Sequence, residues 1–314
     1  MVLSLPLESI EAIQSCSGSL ELVHFLAPPN DKALQSFLNA SQSWLSRYGG
    51  TRRMTLATDM ALSGFPEQNN KGPFSVFTVD AFPDSKQALD YLQEVSLHNE
   101  NAPPDFFSYM LVLKPEPSMK ILAVLRKLYV VQPLLGLLFP VDRSLDFKPD
   151  VHLNQPERNA TQEKLDEFRT RDLKAPFYNI NLNRFYDPPQ DGVSKEEYYK
   201  EFSQETAKIT GPRLLGLGAY PAVSGNVLTV LEDGSPRQHS LQDQWDNFLL
   251  VYYPQRQDYL DVIPSFPDEI VEQRAKAYQR GVQIPSVEYK GTSHDSNAPE
   301  TGGQSRGIFR QCGM

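Results

Sequence analysis

The chain has 314 residues, 40% hydrophobic and 22% charged, which suits two domains of ordinary size, each with its own core. A net charge of −9 and a pI near 5.1 argue against nucleic acid as a main partner, because phosphate contacts need clustered Lys and Arg. Two cysteines, Cys16 and Cys312, stand near opposite ends with no disulfide or metal spacing, so a reducing, cytoplasmic setting is expected. The N-terminal stretch carries Glu8 and Glu11 and no basic run, which does not read as a signal peptide.

In chain order, Leu20 to Leu26 reads as a strand. Asn30 or Asp31 then caps a helix to about Tyr48, with Leu34, Phe37, Leu38, Trp44 and Leu45 on one stripe, stopped by Gly49-Gly50. Arg53 to Leu62 and Phe74 to Phe82 are expected strands. Asp84 opens a second helix, and Phe106 to Leu113 closes the unit as a strand. Residues 116–174 break the pattern. Ser118 caps an expected helix, MKILAVLRKLYVV, ended by Pro133, and LLGLLFPV follows. Arg126 and Lys127 would each cost about 2.5–3.5 kcal/mol in mid-bilayer, which argues against a transmembrane span. Two readings stay open for 119–139: a hydrophobic helix packed across the domain junction, or a peripheral membrane contact with Lys120, Arg126 and Lys127 at the headgroups.

The second half repeats the alternation of strands and helices. Phe177 to Phe185 is a strand whose Tyr178, Ile180 and Leu182 share one face and Asn179, Asn181 and Asn183 the other. The apolar face is expected under the helices. The asparagine face then meets solvent, as a polar ladder, or lines a pocket between two sheets. Ser194 to Glu197 is a capping box for a helix that Gly211-Pro212 stops, and Arg213 to Tyr220 and Asn247 to Tyr253 are expected strands. A last helix runs from Asp268 to Gly281 with Arg274 inside its apolar stripe. From Gln283 onward the composition reads as a disordered tail. Aligning Pro28-Pro29 with Pro188-Pro189 sets Phe25 against Phe185 and His24 against Arg184. The chain thus reads as two β-α-β-β-α-β copies, at 18–115 and 175–290, with a linker at 116–174 and a tail at 291–314.

The strand FYNINLNRF, the run Trp245-Asp246-Asn-Phe-Leu-Leu-Val-Tyr-Tyr-Pro254 and the later Arg274 resemble the dimeric α/β-barrel superfamily. The resemblance implies an α+β fold in which two ferredoxin-like units of one chain build a barrel internally, as a pseudo-dimer. It also implies a range of activities: cofactor-free monooxygenases, cyclases, isomerases, haem-binding dehydratases and dismutases, and members of no known activity. Fold analogy does not choose among them. The first half has no counterpart of Arg274, carrying His98 and Asn99 in that region.

No phosphate loop, zinc spacing or nucleophile elbow is present in the sequence. His24 is the one histidine on an expected core strand, a structural residue or, if it points into the barrel, the best general base. The expected site therefore places His24, Asp246 and Arg274 in catalysis. Asn179, Asn181, Asn183, Arg184, Tyr220, Trp245 and Tyr252 would bind the substrate. No metal and no cofactor is expected. The function read from this set is a cofactor-independent tailoring enzyme, of cyclase, isomerase, dehydratase or monooxygenase type. Its substrate would be a small hydrophobic molecule, aromatic or polyketide-like. The alternative is a non-catalytic ligand-binding or scaffolding protein, membrane-associated through 119–139.

Overall fold

The computed structural model describes residues 5–63, 74–99, 106–119, 131–145, 160–186, 195–232 and 245–290, with backbone alone at 98–99, 107, 195–205, 271 and 273–276. Eight strands form one closed barrel: β1 (Leu20–Ala27), β2 (Thr51–Thr58), β3 (Val76–Phe82), β4 (Phe107–Pro115), β5 (Phe177–Phe185), β6 (Tyr220–Glu232), β7 (Asn247–Tyr253) and β8 (Tyr278–Glu288). Around the barrel the order is β1-β3-β2-β8-β5-β7-β6-β4, and every pairing is antiparallel. Closure pairs β4 with β6 and, over Leu56–Thr58, β2 with β8.

The two halves share a register. Leu20–Leu26 of β1 pairs with Phe82–Val76 of β3, seven residues against seven. Phe177–Asn183 of β5 pairs with Tyr253–Asn247 of β7 in the same way. A bulge interrupts β2 between Arg52 and Met54 and β6 between Pro221 and Val223, at matching places against β3 and β7. This register sets His24 against Asn181 and Phe25 against Leu182. It therefore corrects the Pro-Pro alignment, which set His24 against Arg184. The proline pairs lie in connections, whose lengths vary independently of the ladders they join.

An eight-stranded barrel is just wide enough for side chains to fill. Here Val23, Phe25, Leu56, Phe77, Val79, Tyr109, Leu111, Ile180, Leu182, Phe248, Leu250, Val282 and Ile284 fill it, all buried. Each such residue contributes about 1.5–3 kcal/mol by leaving water. The opposite face of each strand lies under helices. In the first half, α1 (Leu7–Ser15), α2 (Asp31–Arg47) and α3 (Ser85–Asn99) cover Leu20, Leu22, Phe82, Met110 and Val112. Asn30 caps α2 by accepting from the Ala33 amide at 2.9 Å, and Asp84 caps α3 by accepting from Gln87 at 2.9 Å.

In the linker, α4 (Val131–Leu138) and α5 (Gln162–Arg169) are described, and Pro133 lies inside α4 instead of ending a helix. Positions 120–130 of the expected helix lie outside the described residues. The charge-dense helix α5 packs on the barrel through its apolar positions, since Leu165 and Phe168 are fully buried. The helix after β5, α6 (Lys195–Leu217), runs through Gly211-Pro212. The expected strand from Arg213 is therefore a last helical stretch, whose Leu214 and Leu217 join the apolar layer outside β7. Gly218, at φ +81°, ends it, and β6 begins at Tyr220.

After β7 come α7 (Arg256–Val262), a short 3-10 turn (Ile263–Ser265) and α8 (Asp268–Ala277). The largest correction is β8. Its sequence YQRGVQIPSVE looks irregular, yet it is a central strand between β5 and β2, with Val282 and Ile284 in the barrel core. Residues up to Lys290 are thus parts of the fold, and the expected tail at 291–314 lies outside the described residues.

Candidate functional site

The structure reverses the expected faces of β5. Ile180 and Leu182 point into the barrel, while Phe177, Asn179 and Asn183 point outward and are buried. Both faces of a barrel strand are buried, so alternation alone did not say which lay inside. The outward amides form a ladder. Asn183 Nδ2 donates to Asn247 Oδ1 at 3.2 Å, Asn247 Nδ2 to Gly225 O at 3.2 Å, and Asn181 Nδ2 to Leu249 O at 3.4 Å. Gln283 Nε2 donates to Asn181 Oδ1 at 3.5 Å, and Gln283 Oε1 accepts from the Tyr259 hydroxyl at 3.2 Å.

His24 also points outward, on β1. Its ring meets Phe37 of α2 edge-on at 5.2 Å, and neither ring nitrogen has a hydrogen-bond partner. Burial, with a smaller contribution from the nearby Arg52 guanidinium, lowers its pKa to about 3. Beside it lies a buried ion pair. Arg52 Nε donates to Asp80 Oδ1 at 2.8 Å and Nη2 to Oδ2 at 3.1 Å, with Ser41 and Thr78 completing the cluster. β1 and β5 stand four strands apart in either direction around the barrel. His24 and the asparagines are therefore on opposite walls, both facing outward, and they do not share a pocket.

The other expected residues disperse as well. Asp246 holds the end of β5, its Oδ2 accepting from the Phe185 amide at 2.7 Å. Trp245 is buried in the barrel interior with the Arg280 guanidinium 5.5 Å from its ring. Arg184 pairs across strands with Arg280 at that same end. The side chain of Arg274 lies outside the described residues.

At the opposite end of the barrel, where β1 begins, Tyr220 and Tyr252 do come together. Their rings are 5.0 Å apart, and Tyr252 is 5.2 Å from Tyr178. All three are half-buried. Because β1 and β5 run in the same sense, the shared register puts Glu21 at the level of Tyr178, on the face of Val23 and Phe25. Glu21 is an inward carboxylate, 6% exposed, bound to Arg53. Arg53 Nη2 also donates to Ala222 O at 3.0 Å, so one bulge residue reaches its counterpart in the other half. Burial pushes the Glu21 carboxyl above its ordinary value, and the Arg53 charge and hydrogen bond only partly oppose it.

Sequence reasoning missed Glu21 and Arg53. The available signal was a charged residue inside the apolar run LELVHFLA, three residues before His24. Among the described residues no group of three or more His, Cys, Asp and Glu side chains could hold a metal ion.

No protein-family model and no curated protein matches this sequence. Among solved structures, a protein of unknown function from Rhodopseudomonas palustris is 21% identical, over 42% of this chain and 95% of its own, with a TM-score of 0.33. A mutant chlorite dismutase from Candidatus Nitrospira defluvii is 8% identical, over 89% of this chain and 94% of its own, with a TM-score of 0.44. At these TM-scores neither likeness carries an argument about this chain. Its architecture rests on the strand register.

Proposed function

We propose that the protein binds a small aromatic molecule at the barrel end walled by Tyr178, Tyr220 and Tyr252 and moves a proton on it, with Glu21 as the base. The observation that carries this reading is Glu21 itself. It is a carboxylate inside an apolar barrel, raised in pKa and, by the shared register, at the level of Tyr178 on the opposite strand. A general base works best with a pKa near the working pH, and burial moves a glutamate that way. Arg53 adds a positive charge where an oxyanion would form. In this reading Glu21 takes the base's role that the sequence suggested for His24 or Asp246, and Tyr220 and Tyr252 keep theirs. The interior beyond the mouth is filled by side chains, so the substrate sits at the mouth and not deep in the barrel.

The architecture belongs to the same proposal. Two β-α-β-β-α-β units of ferredoxin-like type would form one pseudo-dimer, related by a two-fold along the barrel axis. The shared strand order, the equal registers and the matched bulges support this.

Aryl ketones and phenols are the probes for the mouth. Titrated into the full chain and followed by amide and aromatic chemical shifts, they are expected to perturb Tyr178, Tyr220 and Tyr252. Tyr252→Ala should weaken them about tenfold, the scale of a lost aromatic contact. Shifts centred elsewhere, or affinity indifferent to Tyr252→Ala, would remove the mouth as the site. The packed interior supports a second reading, a ligand-binding or scaffolding protein without chemistry. Tight binding with no proton exchange would favour it.

A further inference from the structure

A β-bulge puts one extra residue into a strand and re-aims its side chain. The two matched bulges of this barrel do so unequally. Arg53 stands in the bulge of β2 and Ala222 in that of β6, four strands away in either direction. Arg53 spans the mouth between them. Its Nη1 donates to Glu21 Oε1 and its Nη2 to Ala222 O on the opposite wall, two residues past Tyr220. The counterpart Ala222 offers only a methyl group where a second long side chain would fill the mouth.

The ion pair at the mouth is unevenly buried. The Glu21 side chain is 9% exposed and the Arg53 side chain 37%, so the cationic partner is the one that solvent meets. Glu21 is the single ion-pair partner of Arg53 among the described residues, and Arg53 Nε makes no hydrogen bond among them. A guanidinium has five N–H donors, and two are used here. The edge formed by Nε and Nη2 is the one through which the neighbouring Arg52 holds Asp80, at 2.8 and 3.1 Å. Side-on pairing of that edge with a carboxylate is the strong, planar form of the contact. The bond to Ala222 O also sets the guanidinium near the strand of Tyr220, whose ring continues into those of Tyr252 and Tyr178. Such a row of half-buried rings suits an aromatic body.

We infer that the ligand of this mouth is an aromatic acid, its ring on the three tyrosines and its carboxylate on the solvent-facing edge of Arg53. The inference rests on the reading of this end as the ligand site and adds the charge that the ligand carries. The test compares 2-, 3- and 4-acetylbenzoate with their methyl esters, each titrated into the full chain and followed by amide and aromatic chemical shifts. At least one acid should bind about tenfold more tightly than its ester, the scale of a charge-assisted contact at a partly exposed site, and the preference should shrink as salt is raised. In Arg53→Gln the preference should vanish, and in Arg53→Lys, which keeps the charge without the planar edge, part of it should remain. Circular dichroism and the melting temperature check that both variants fold. If Arg53→Gln does not fold, the acid-to-ester ratio of the unaltered protein, its salt dependence and Arg53→Lys decide. Esters that shift the tyrosines while no acid binds more tightly than its ester would overturn this inference alone. A preference that survives in folded Arg53→Gln would do the same. Acids and esters that both leave the tyrosines unshifted would remove the mouth as the site, and this inference with it.

Discussion

Glu21→Gln is expected to lower proton exchange on a bound aryl ketone by about 10²–10⁴-fold, the usual contribution of a positioned base. The reaction is removal of a proton from the carbon next to the carbonyl by the Glu21 carboxylate, with deuterium returned from D2O. Loss of the ¹H signal at that carbon reports the rate. Glutamine keeps the size and a hydrogen-bonding oxygen for Arg53, so binding of the probe should survive while the rate falls. Arg53 is 37% exposed, and the lost ion pair should therefore cost only about 1 kcal/mol once solvent screening is allowed for. The sign of the pH dependence follows from the direction of the shift. Burial raises the Glu21 pKa above its ordinary value, so the fraction ionised, and the rate, should climb with pH through that raised value. Exchange in Glu21→Gln equal to that of the unaltered protein, or a rate that falls through this range, would end the assignment.

His24 gives the second large effect, on stability. Folded, its imidazole titrates at about 3, against 6.5 when free. Between these values the unfolded chain binds a proton that the folded chain refuses. Stability is then lost as pH falls below 6.5, at about 1.4 kcal/mol per pH unit. His24→Leu removes the titrating group and the two unpartnered ring nitrogens together. At pH 7 the variant should be more stable by about 1–3 kcal/mol, the cost of burying unsatisfied polar atoms. By pH 5 its advantage should grow by about 2 kcal/mol. Urea unfolding of both proteins at the two pH values decides this. An advantage that does not widen on acidification would mean that the buried histidine is charged or hydrated in the folded state. The neighbouring Arg52 and Asp80 remain in both proteins and cancel in the comparison.

Much of the first half was legible in the residues. Asn30 and Asp84 cap helices where short polar side chains before an apolar stripe say they should, and the strands from Leu20 and near Phe74 begin within two residues of expectation. The second half was less legible for local reasons. Pro212 does not break α6, because Leu214 and Leu217 gain apolar burial by continuing the helix. β8 carries Gly281, Gln283 and Pro285, poor strand residues whose cost is offset by pairing with β5 and, through the Gln283 and Pro285 carbonyls, by accepting from the Leu62 and Asp59 amides just past β2. The proposed site was half visible. Tyr220 and Tyr252 were singled out and do meet, whereas Glu21 and Arg53 were passed over for the more conspicuous His24.

What the sequence determined by itself was the periodicity: which stretches alternate at two and which at three to four, and hence an alternation of strands and helices in two rounds. What only the tertiary structure decided was which face of each strand is the inside. In a closed barrel covered by helices both faces leave water, so exposure to solvent does not mark either face as the outside. The choice between them depends on which strands lie opposite, and no local pattern records that. Closure of β2 on β8 and β4 on β6 sends His24 and the asparagines to outer layers on opposite walls and turns Glu21 inward.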